Sequence, residues 1–243
     1  ITVENKTLNR IWVGGVVGAI NALCTMDYAS NAGNLSFYNL TVNKTGYVVA
    51  GGVLGGFCFA NKTIQSAEVT FRGLTNEGDV ECASKKVDGV GGCNMAAGDA
   101  SMQNYSYIGG ICGVGEAYSK YFLDCVNSGL VDIDNQLQTR MGGVLGYTDV
   151  NPTGCINRGD VIYYRYKGKY TAGNGEIGGV VGYMDVPTVE NLTNDAKVQS
   201  TGSSPNCCTG GIIGLVGDTT VAFEDCKVGG SNIVGSSSGS WVH

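Results

Sequence analysis

Short apolar runs rich in Val, Ile and Leu recur along this chain, each bounded by paired glycines or by Asn-x-Gly. None keeps a helical period. One bounding phrase, G-G-V/I-x-G, occurs six times: Gly14–Gly18 (GGVVG), Gly51–Gly55 (GGVLG), Gly109–Gly113 (GGICG), Gly142–Gly146 (GGVLG), Gly178–Gly182 (GGVVG) and Gly210–Gly214 (GGIIG). Successive first glycines are 37, 58, 33, 36 and 32 residues apart. A period in this range marks an array of supersecondary units. A second phrase, N-x-G-x-V/L, follows at Asn31, Asn76, Asn127 and Asn157, and Asn194 keeps the frame with Ala196 in place of glycine. These Asn lie 17, 25, 18, 15 and 16 residues after the preceding first Gly. The repeat therefore reads as short strands joined by a variable excursion. Asn and Gly suit its tight turns, because both tolerate positive φ.

The pattern predicts an all-β chain: a β-solenoid, right-handed and parallel, of about six repeats reinforced by disulfides. The G-G-V/I-x-G segments are expected to be stacked strands, with Val16, Val53, Ile111, Val144, Val180 and Ile212 buried in one column between glycines that let backbones approach. A phosphate-binding glycine loop does not fit, since such a loop occurs once and opens a helix. Residues 1–10 precede the first repeat and read as an extension, a candidate donor strand through Ile1, Thr2 and Val3. Residues 11–234 form one repeat domain, and residues 235–243 a Ser/Gly-rich tail. The long second repeat (56–108) reads as a disulfide-pinned loop or a degenerate extra rung.

The net charge of −6 and the sparse cations argue against nucleic acid as a partner. No apolar run approaches a membrane span. The chain starts at Ile1, which reads as a processed or truncated terminus. Ten cysteines, an even count, point to an oxidising compartment: Cys24, Cys58, Cys82, Cys93, Cys112, Cys125, Cys155, Cys207, Cys208 and Cys226. Cys82 and Cys93 close the shortest glycine-rich loop and are the expected pair. Cys125 and Cys155 sit at equivalent positions of neighbouring repeats, as a second pair or as a ladder of buried thiols. No C-x-x-C pair exists and the one histidine is His243, so neither a metal nor another cofactor is expected. Seven sequons, at Asn5, Asn34, Asn39, Asn43, Asn61, Asn104 and Asn191, are candidate N-glycan sites.

The paired phrases GGVVG…NAGNL, GGICG…CVNSGLV and GGVLG…CINRGDV resemble the GLUG-type repeats of extracellular and cell-surface proteins. The resemblance covers about residues 11–233. It implies a β-solenoid serving as a surface stalk, adhesin or structural module. The cysteines and sequons depart from the bacterial members and lean towards a eukaryotic secreted relative.

Without an internal histidine there is no Ser-His-Asp or Cys-His site. Solenoids also host polysaccharide-active enzymes, yet the acids here are scattered, Asp132 and Asp134 being the nearest to a same-face pair. The chain is therefore expected to bind or build rather than catalyse. The stretch Tyr163, Tyr164, Arg165, Tyr166, Lys167, Gly168, Lys169, Tyr170 alternates rings and cations, which suits a sugar or an acidic partner. Covering of a neighbouring rung accounts for it equally. Two functions stand open. One is a structural subunit of an extracellular glycoprotein filament or coat, whose partner is itself, head to tail. The other is a monomeric adhesin or carbohydrate-binding module.

Overall fold

In the computed structural model the chain is all-β, and among the described residues every strand pairing is parallel. The structure describes residues 1–4, 7–21, 24–38, 40–57, 70–82, 95–97, 105–115, 121–135, 138–165, 175–202, 207–217, 220–229, 233–236 and 240–242. Each coil of the solenoid contributes one strand to each of five faces. The first face stacks Thr2–Glu4, Leu35–Tyr38, Val80–Cys82, Val131–Asn135, Val161–Arg165, Val198–Gly202 and Ile233–Ser236. The second stacks Thr7–Gly14, Leu40–Gly51, Tyr105–Gly109, Gln138–Gly142, Gly175–Gly178, Cys207–Gly210 and Ser240–Val242. Met95–Ala97, inside the long second repeat, bridges these two faces by pairing with Leu40–Val42 and Asn135. The third, fourth and fifth faces have six strands each. The third runs from Val17–Ile20 to Ile213–Val216, the fourth from Met26–Asp27 to Ala222–Glu224, and the fifth from Ser30–Asn31 to Lys227–Val228.

The glycine phrase is a corner, not a strand. Its first Gly ends a strand of the second face, its second Gly and Val/Ile form a bend, and the third face begins with the next residue. The corner residues still stack in the expected column, since the N–H of Val16, Val53, Ile111, Val144 and Val180 each donates to the carbonyl of the next member. Val53, Ile111, Val144 and Val180 are fully buried, whereas Val16 is 48% exposed and Ile212 is half-buried, because each lies at an end of the column.

The Asn-x-Gly phrase does not supply the positive φ angles expected of it. They fall three residues earlier, at Tyr28, Gly73, Asp124, Gly154, Asn191 and Asp225, once per coil. The Asn is instead a buried structural polar group. Nδ2 of Asn31 donates to Asn76 Oδ1 (2.8 Å), Asn76 to Asn127 (2.9 Å), Asn127 to Asn157 (3.0 Å) and Asn157 to Asn194 (2.9 Å). Each Nδ2 also donates to the carbonyl two residues on: Gly33, Gly78, Gly129, Gly159 or Ala196. The Asn side chains press against the second glycines. A Cβ on Gly15, Gly52, Gly110, Gly143 or Gly179 would collide with Asn31, Asn76, Asn127, Asn157 or Asn194. The contact pinches the cross-section into two apolar lobes. One holds Leu35, Val80, Ile108, Val131, Met141 and Tyr163 from the first two faces. The other holds Val53, Leu54, Phe71, Phe122, Leu145 and Leu192 from the rest, with Phe71 and Phe122 stacked at 5.2 Å.

Both terminal segments are rungs of this same chain. Thr2, Val3 and Glu4 pair with Ser36, Phe37 and Tyr38, and the Ile1 ammonium donates to the Asn34 carbonyl at 2.8 Å. Ser240–Val242 pairs with Cys207–Thr209. Ile1, Thr2 and Val3 are therefore engaged inside their own chain rather than held out for a neighbour.

Disulfide reinforcement is also not found among the described residues, where no bridge joins Cys24, Cys112, Cys125, Cys155, Cys207, Cys208 or Cys226 to one another. Cys58 and Cys93 lie outside the described residues, as does the side chain of Cys82, and with them the expected pair. Cys125, Cys155 and Cys226 share an inward column with Ala29, Leu74 and Leu192, each one residue before a strand of the fifth face. Cysteine there fills space as a small hydrophobe. In-register side chains stacked about 4.8 Å apart exceed the usual disulfide Cβ separation of about 3.8 Å. Contact with Cys125, and then burial, raises the Cys155 pKa well above its ordinary value, which keeps the thiol protonated and unreactive.

Asn127→Ala deletes an amide that serves three buried partners. Each orphaned polar group costs about 1–3 kcal/mol, so a loss of about 3 kcal/mol or more is expected in urea unfolding. Asn31→Ala, at the half-buried end of the ladder, should lose less than half of that. Equal small losses for the two would contradict the ladder.

Candidate functional site

Where the second and third faces meet at the glycine corner, their outward sides face each other and enclose a groove of about 330 Å³. Trp12, Tyr47, Val49, Tyr107 and Arg140 line it from the second face, and Phe57, Val114 and Tyr147 from the third. Register explains the set. Trp12, Val49, Tyr107, Arg140 and Glu176 occupy one outward column, each two residues before the paired glycines. Gly56, Val114, Tyr147 and Tyr183 occupy the facing column, each one residue after the phrase. Small residues in the early coils (Val49, Gly56, Val114) leave the space that larger ones fill later.

Rings dominate the walls. Trp12 meets Tyr47 edge-on at 5.2 Å, Tyr107 meets Tyr147 at 6.1 Å, and Tyr147 stacks on Tyr183 at 5.7 Å. All five are half-buried, so each shows part of its ring to solvent. Arg140 closes one end. Its guanidinium carbon lies 3.8 Å from the Tyr183 ring centre, 5.1 Å from Tyr147, 5.2 Å from Tyr105 and 5.8 Å from Tyr107. Arg140 Nε donates to Glu176 Oε2 at 2.6 Å. Burial opposes the Arg140 charge, but Glu176 and the tyrosines outweigh it and its pKa lies above the ordinary value. Glu176 is the reverse case: burial raises its pKa, and the pull of Arg140 does not cancel that. At the other end Arg10 lies 5.2 Å from the Tyr47 ring centre.

The tyrosine-rich stretch chosen from the sequence is not this groove. Tyr163 is fully buried, Tyr164 is exposed on the first face, Arg165 continues that strand, and Tyr166 and Tyr170 lie outside the described residues. Tyr163 points inward because it follows Val161 at the two-residue period of a strand whose alternate positions enter the core. The acids Asp132 and Asp134 also lie on the first face, which contributes nothing to the groove. Asp132 is raised in pKa by burial and by Glu81, its partner one rung away. Asn34 and Asn191 are exposed, Asn191 at a left-handed bend. Asn43 lies in a strand whose side chain there is not described, and Asn5, Asn39, Asn61 and Asn104 lie outside the described residues.

A further surface feature is the last coil. Leu215, Phe223, Val228 and Val234 are exposed there, Phe223 by 56%. Gly211, Ile212, Ile213, Val216 and three of these line a shallow apolar hollow of about 470 Å³. No described protein family, curated protein or solved structure matches this chain. Among the described residues no helix is long and apolar enough to cross a membrane.

Folding raises the Glu176 pKa, so between its unfolded value of about 4.3 and its higher folded value the native state binds more protons. That stability is present below the unfolded value and is lost as pH rises through the folded one. Glu176→Gln should therefore flatten the fall in unfolding free energy as pH rises above the unfolded carboxyl value of about 4.3, relative to the parent. Identical profiles would contradict a raised Glu176.

Proposed function

We propose that this chain is a carbohydrate-binding solenoid module of a secreted or cell-surface protein, and that the groove between the second and third faces is its binding site. The observation that carries the reading is the run of half-buried rings along a concave surface. Sugar rings present flat C–H patches that stack on Trp and Tyr, and hydroxyls that bond to polar groups such as phenols, guanidinium and carboxylate. Arg140, Glu176 and the tyrosine hydroxyls provide such groups beside the rings. Parallel strands on both sides hold the walls, so little ordering opposes binding. Exposure of Asn34 and Asn191 suits the N-glycans expected of an extracellular setting, and the GLUG-type resemblance points to the same location.

Binding to a panel of immobilised polysaccharides tests this reading. Tyr107→Ala and Tyr147→Ala should each weaken capture about tenfold, about 1.4 kcal/mol. Tyr164→Ala, on the first face, should leave it unchanged. Capture that is indifferent to all three substitutions would refute the groove as the site.

A second reading, a structural subunit that assembles head to tail, is favoured by the apolar last coil. All strands of a face run the same way, so the two ends of the solenoid are complementary rather than alike. In this reading Phe223→Asp should abolish concentration-dependent association in sedimentation velocity. A parent protein that stays monomeric at high concentration would refute it.

A further inference from the structure

We propose that the groove takes a linear polysaccharide lying parallel to the solenoid axis, one sugar unit per coil, and not a terminal sugar. This rests on the carbohydrate reading above and specifies its ligand. The lining residues come from four successive coils: Trp12 from the first, Tyr47 and Val49 from the second, Tyr107 and Val114 from the third, and Arg140 and Tyr147 from the fourth. Coils rise by about 4.8 Å, so the floor from Trp12 to Arg140 is about 14 Å long. A volume of about 330 Å³ spread over that length is a narrow trough rather than a deep pocket.

The trough is also periodic. Trp12, Val49, Tyr107 and Arg140 are successive members of the second-face column, one per coil, and Phe57, Val114 and Tyr147 join them from the third face at the second, third and fourth coils. A ligand that repeats at a similar rise meets at least one lining side chain at each step. One pyranose unit of an extended chain has about this length, whereas a single sugar would touch one coil and leave the other rings uncovered. The two ends differ. Arg140, held by Glu176 and packed on four tyrosines, walls off the fourth coil. Trp12, in the first coil, marks the other end of the lining.

The test is a calorimetric titration with linear oligosaccharides of one to six units cut from chitin, cellulose, β-1,3-glucan and homogalacturonan. For the series that binds, affinity should rise severalfold with each unit up to four and then level off, with the single sugar not detectably bound. Trp12→Ala should move the levelling point from four units to three, with its strand spectrum by circular dichroism unchanged. A single sugar that binds as tightly as the tetramer overturns the linear mode and leaves the carbohydrate reading standing. Affinity that keeps rising beyond four units overturns the assignment of one unit per coil. No binding by any series, from a protein that also captures nothing from the polysaccharide panel, overturns both.

Discussion

A carboxamide buried between two apolar lobes has to find partners for both of its N–H groups and for its oxygen, or the coil around it is unstable. In this solenoid the partners are supplied by stacking. Each Asn of the inner ladder donates once to its own turn, at Gly78, Gly129 or Gly159, and once to the Asn of the next coil. No single coil can satisfy its own asparagine, so the interaction exists only in an array. It also fixes register, since a slip of one residue would put Thr75, Val126 or Ile156 where the amide has to be.

The glycines follow from the asparagines. The side chain crosses the waist of the coil and rests on the opposite wall, where the second glycine leaves it room. The first glycine closes the same corner against backbone, Gly142 for instance against Leu145, Val180 and Gly182. The pinched waist then produces the groove. Two lobes joined by a narrow neck must have a re-entrant surface beside the neck, and on the glycine side that surface is lined by outward residues of the second and third faces. Rings collect there because a concave wall shields part of each ring from water. The candidate binding site is thus a by-product of the contact that holds the coil together.

Much of the fold was legible in the chain. The repeated phrases announce stacked coils, and the absence of a helical period announces strands. The role of each phrase was less visible. Gly-Gly-Val reads as a tightly stacked strand, but a corner demands missing side chains just as much. Asn-x-Gly reads as a turn with positive φ, yet the left-handed residue lies three positions earlier and is Tyr28, Asp124, Asn191 or Asp225 in four coils and glycine in only two. The groove left a signal that went unread. Tyr147 and Tyr183 directly follow GGVLG and GGVVG, and Trp12, Tyr107 and Arg140 stand two residues before the glycine pair. These residues are far apart in sequence and become neighbours only when the repeats are aligned on their glycines. The Tyr163–Tyr170 stretch was conspicuous because its rings are contiguous, but contiguity in a strand sends alternate side chains to opposite sides, and Tyr163 enters the core.

The cysteines teach a related lesson. An even count of ten suggests bridges, but Cys112 shares its column with Val17, Leu54, Leu145, Val181 and Ile213, all of them apolar. Position within the coil decides its role, as it does for the asparagines. The most direct test of that claim is hydrogen exchange of the side-chain amides, followed by NMR on nitrogen-15-labelled protein under native conditions. The account predicts that both Nδ2 protons of Asn76, Asn127 and Asn157 exchange as slowly as the backbone amides of the buried strands around them. Exchange of those protons at the rate of a free asparagine amide, in a protein that keeps its strand signature, would contradict the ladder and the account built on it.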